Sequence, residues 1–241
     1  MIRPKVHLYF GTLRIFYGRV LEEMAARLIS FVRDLSIREV NEFVRIRAGA
    51  VSWNGRALIL PSPPQPHLPA LTGLLARAGG GYLGDETIYV DPVLRNVHST
   101  SLPIFLDADD LPLFPELERE ESPRRPPKPP EPELYAVTPR RLVAPDELGS
   151  RHADPASVGW IVFPYWDQGG ESRLEPAGGA DALFRFTESA LNLNAYGDRA
   201  LLMMRQMLES VPVSRLSVAS LPEAAELLVE HAPSMLEEVS A

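Results

Sequence analysis

The chain has 241 residues, 45% hydrophobic and 23% charged, which is ordinary for a globular protein with a sizeable core. Its formal net charge of −8 argues against general binding along a nucleic-acid backbone, which needs a surplus of Lys and Arg on one face. Cysteine is absent, so disulfides, a thiol nucleophile and Cys-ligated metals are excluded, and a cytoplasmic location is expected.

In chain order, residues 7–31 open with a short apolar alternation and continue at helical spacing, predicting a strand that leads into a helix. Arg14 and Arg19 interrupt the apolar residues and no small-residue cleavage site follows, so this start does not read as a signal peptide. No run reaches the ~18 apolar residues of a membrane span, and no membrane partner is expected. Residues 40–48 alternate as a strand. Residues 50–60 carry Asn54-Gly55 at their centre, the strongest short signal for a hairpin.

A proline-crowded loop follows, and residues 68–78 then read as a helix stopped by Gly79, Gly80 and Gly81. Strand character flanks Asp85-Glu86 and returns in residues 101–106. Residues 116–133 are charged and proline-rich with Leu117 as their one apolar residue, the composition of an exposed insertion or stiff linker. Beyond it, residues 134–137, 158–165 and 213–218 are expected as strands. Residues 181–193, 198–210 and 222–231 are expected as helices. The class is therefore α/β or mixed α+β: one domain in two halves, 1–115 and 134–241, joined through 116–133.

The order strand, tight loop, helix around residues 57–75 (ALILPSPPQPHLPALTGLL) is how a phosphate-binding loop is built. In register with the pattern G-x-x-x-x-G-K-[ST], Ser62 stands at the first glycine, His67 at the second, Leu68 at the lysine and Pro69 at the hydroxyl residue. Pro63, Pro64, Pro66 and Pro69 lack an N–H, so the backbone nest that would cradle phosphate loses four donors. Leu68 cannot neutralise phosphate, and neither Pro69 nor Ala70 can hold magnesium.

The wider sequence resembles the HPr kinase family. The resemblance rests on the order AGAVSWNGRALILP, loop, helix, GGGYLGDETIYVD and SLPIFL, and more loosely on TPRRLVAPDELG, VGWIVFPY, GADALFRFTESALN and VPVSRLSVASLPEAAELL. It implies a phosphate-loop fold whose active members transfer the γ-phosphoryl group of ATP to a serine hydroxyl. In such a member Asp85 and Glu86 would activate the hydroxyl and help hold magnesium; in an inactive one they are vestigial. Relatives carry a histidine near the start of the hairpin where this chain has Arg47, which joins Ser62, His67, Leu68 and Pro69 as the degenerate nucleotide site. Arg95 and His98 are further candidates to converge on it.

The expected function is that of a catalytically impaired kinase-like protein serving as a peptide- or protein-binding accessory subunit, without a cofactor. The alternatives are a divergent ATP- and magnesium-dependent serine or small-molecule kinase, and a structural subunit of a larger assembly; self-association is left open.

Other candidates read as structural. His98 and Ser99 would point to opposite faces of a strand. The five histidines show no metal-ligand spacing, so no metal site is expected. The acidic run from Asp107 to Asp110 reads as a solvated turn, and the PRRPPKPP segment as a linker. Trp53, Trp160 and Trp166 read as core or interface anchors, and Met203, Met204 and Met207 as core.

Overall fold

The computed structural model describes residues 5–65, 67–117, 140–167 and 170–237. The protein is mixed α/β and divides into two compact units, residues 1–43 and 44–241.

In the first unit, β1 (Val6–Phe10) and β2 (Leu13–Gly18) form an antiparallel hairpin followed by α1 (Leu21–Glu39). The expected single strand is thus a pair, because Gly11 takes a positive φ of 59° and lets the chain reverse. Helix α1 runs on to Glu39, with the Val40 N–H bonded to the Ser36 carbonyl, so the strand expected from residue 40 starts only at Val44.

The second unit is built on a mixed nine-stranded sheet. Its strands are β3 (Val44–Ile46), β4 (Ala48–Trp53), β5 (Arg56–Pro61), β6 (Gly81–Gly84), β7 (Ile88–Val90), β8 (Asn96–His98), β11 (Ala156–Trp166), β12 (Arg173–Pro176) and β13 (Val213–Val218). Outside the sheet, β9 (Ile104–Asp107) pairs with β10 (Arg140–Val143), which falls in a stretch expected as loop. The strand expected at residues 134–137 and most of the proline-rich insertion lie outside the described residues.

The Asn54-Gly55 hairpin forms as expected, both residues at positive φ (51° and 76°), joining β4 to β5 in antiparallel register. The sheet order is β3-β7-β8-β11-β5-β4-β6, with β5, β11 and β13 mutually parallel along their shared edges. Strand β11 carries β8 at its start and β13 from Ile161 onward on the edge opposite β5.

Both faces of this sheet are covered, as a parallel core requires. On one, Leu58, Leu60, Trp160 and Val162 pack with α2 (Leu68–Arg77) and α6 (Leu221–Leu236). On the other, Ala57, Ile59, Ile161 and Phe163 pack with α3 (Gly179–Glu188) and α5 (Asp198–Ser210), whose Met203, Met204 and Met207 are buried as expected. A short α4 (Leu193–Tyr196) lies between those helices. The helix expected over residues 181–193 stops at Glu188 because the next residues join the β3 ladder: the Leu191 N–H donates to the Arg45 carbonyl and Ile46 bridges Ala190.

Strand β11 contains an irregularity. Val158 faces the α5 side and Trp160 the α2 side, although residues two apart in a regular strand share a face. The register against β5 shifts between them, at Gly159, which inverts the facing of everything downstream. A Cβ on Gly159 would come within 2.8 Å of Leu236 Cδ2 and 3.1 Å of Arg56, so any larger residue at the bulge requires those side chains to move.

Candidate functional site

The segment 61–69 leaves the end of β5 and enters α2 beside the ends of the parallel strands β11 and β13, the edge where ligands of parallel α/β sheets bind. The first turn of α2 offers little to an anion. The Leu68 N–H points back to the Gln65 carbonyl at 3.5 Å, and Pro69 has no N–H.

Position 68, where a phosphate-binding lysine would stand, is 2% exposed, and the leucine there packs with Leu60, Leu71 and Trp160 in the core. Pro69 and Ala70 are likewise buried. Ser62 is fully buried and its Oγ has no hydrogen-bond partner, while Pro63 and Pro64 stand out to solvent.

Arg47 meets this loop through its backbone, and Glu86 meets the start of β4. The Ser62 N–H donates to the Arg47 carbonyl (3.2 Å), and the Ala48 N–H donates to the Glu86 carbonyl (3.2 Å). Asp85, 5% exposed at the end of β6, accepts the Phe105 N–H at 2.8 Å and so ties β6 to β9. One carboxylate oxygen of the expected catalytic pair therefore holds the fold. Asp85→Ala is expected to lose about 1–3 kcal/mol of stability by leaving that buried N–H unpaired, and Asp85→Asn much less, as read by urea denaturation.

Sequence reasoning missed the partner of His67. The acidic run expected as a solvated turn instead buries Asp110, 3% exposed, in a 3-10 turn whose following Leu111-Pro-Leu-Phe segment docks into the core. That apolar tail was the available signal. Asp110 Oδ1 lies 2.9 Å from His67 Nδ1, and the His67 ring sits 5.7 Å from that of Trp166. Asp110 Oδ2 and the indole N–H of Trp166 are buried without a partner.

Burial raises the Asp110 carboxyl above its ordinary range, the hydrogen bond from His67 opposing the shift and Asp107 and Asp109 adding to it. A raised native pKa means that the folded state binds the proton more tightly than the unfolded chain. Stability is therefore lost as pH rises from about 4, the unfolded value, through the raised one. Asp110→Asn removes this dependence while keeping an oxygen for His67. Its stability relative to the wild type is expected to rise across that window and then level; a pH-independent difference in denaturation midpoints would contradict the assignment.

Two candidates do not reach the loop. His98 ends β8 opposite Tyr89, and Arg95 lies in the turn before β8, lining a cleft with Arg56 at the start of β5, whereas the loop leaves its end. Among the described residues, no three His, Asp or Glu side chains form a group that could hold a metal, and no helix is long and apolar enough to cross a membrane. Comparison with protein-family models gives no match, and no curated protein matches the chain.

Proposed function

We propose that this protein is a degenerate relative of the HPr-kinase-like phosphate-loop proteins that binds a peptide or protein as an accessory subunit and does not transfer phosphate. The observation that carries this reading is the burial of Leu68 at the lysine position, within a strand, loop and helix that keep phosphate-loop order. Asp85, the expected base, is committed to the Phe105 N–H. What the loop offers a partner is rigid: exposed Pro63 and Pro64, and the half-exposed ring of His67 fixed by Asp110 and set beside Trp166. Proline surfaces of this kind bind at low entropic cost because their backbone is already ordered. The lack of cysteine supports a cytoplasmic setting.

A photo-crosslinker placed at Gln65 tests this in cell extract, with the same group at exposed Val93 as control. The expected result is one adduct specific to position 65 that is lost when Pro63, Pro64 and Pro66 are replaced together by alanine. Equal adducts from both positions, or an adduct indifferent to the prolines, would overturn the proposal.

A further inference from the structure

The turn between β7 and β8, the start of β5, the bulge of β11 and the end of α5 line an open cleft of about 240 Å³. Its polar wall is Arg56, Arg95, Ser157 and Ser210; Leu94, Val158, Met207 and Val211 supply an apolar one. The Arg56 guanidinium lies across Gly159, with Nη1 on Ser157 Oγ at 3.3 Å. Its Nε is buried and has no hydrogen-bond partner.

Neither arginine forms an ion pair among the described residues, in a chain with a surplus of eight negative charges. Gly159 covers Nε, so the Nη groups are the part of the Arg56 fork left to face a ligand, and a guanidinium without a counter-charge there favours an anion. Arg95 is held in place by its turn: its N–H donates to the Asp91 carbonyl, and the Asp91 carboxylate accepts the N–H groups of Val93 and Leu94.

We infer that this cleft binds a phosphate monoester carrying a small apolar group. The remaining Nη hydrogens of Arg56, the guanidinium of Arg95 and the free hydroxyl hydrogen of Ser157 offer more donors than a carboxylate's two oxygens use, and they suit three phosphate oxygens. The apolar wall takes the ester substituent, and the volume limits it to about the size of one aromatic ring. This site is separate from the proline loop and stands whether or not that loop binds a partner.

Calorimetric titration of the full chain with phenyl phosphate at low salt tests it, alongside inorganic phosphate, benzoate and benzyl alcohol. Saturable binding of phenyl phosphate is expected, tighter than that of the other three. It should weaken about tenfold or more in Arg56→Gln and, independently, in Arg95→Gln, the latter a surface-turn variant that leaves the bulge intact. Failure to saturate, or affinity unchanged in both variants, would overturn the site. Benzoate binding as tightly would overturn the phosphate assignment, and inorganic phosphate binding as tightly would overturn the apolar subsite.

Discussion

Replacing Leu68 with lysine, the residue a working phosphate loop would carry there, is expected to destabilise the fold by about 3–5 kcal/mol, because the ammonium would be buried among apolar side chains with no counter-charge. For a chain of this size that corresponds to a fall in melting temperature of roughly 10 °C. Leu68→Met, which keeps volume and polarity, should cost less than about 1.5 kcal/mol. The lysine variant is also expected to gain no nucleotide affinity, since the prolines around it still remove the N–H donors. Thermal unfolding of the three proteins side by side decides the matter. A Leu68→Lys protein as stable as the wild type would mean that position 68 faces open space, and that the loop is a nucleotide site short of one side chain.

The second large effect is expected at Gly49, where β4 passes under α2. A Cβ there would fall well inside contact distance of Thr72 Oγ1, which itself bonds the Leu68 carbonyl. Gly49→Val should therefore cost about 3 kcal/mol, pushing α2 and the loop ahead of it away from the sheet. Gly49→Ala alone should cost about 2 kcal/mol, and combination with Thr72→Ala should recover about 1 kcal/mol of it, because the obstructing hydroxyl is then gone. Additive losses in urea denaturation would show that the close approach of strand and helix is not what fixes α2.

Local signals carried far in this sequence. Asn54-Gly55 specified the hairpin that feeds the loop, and the spacing of Met203, Met204 and Met207 marked the buried face of α5. Non-local pairing was not legible. Residues 189–192 have helical composition, yet hydrogen bonds from the β3 ladder, including Asn192 Oδ1 accepting the Arg45 N–H, pull them out of the helix.

The acids divided in the same way. Asp85-Glu86 stood out by resemblance, but nothing in its neighbourhood marked Asp85 as a fastening for β9. Asp110 reads as solvated among like charges, and its burial comes from the apolar residues after it, which enter the core. The convergence of Arg56 with Arg95 depends on a bulge at Gly159 that a strand pattern does not reveal.

The proposed function requires that the loop, with Leu68 in the core, receive no nucleotide. Calorimetric titration of the full chain with Mg-ATP tests it most directly, with Asp85→Asn as the comparison because asparagine keeps the bond to Phe105. No magnesium-dependent binding at the loop is expected up to millimolar nucleotide in either protein. Tight, magnesium-dependent binding by the wild type that disappears in Asp85→Asn would contradict it and establish a nucleotide-dependent enzyme.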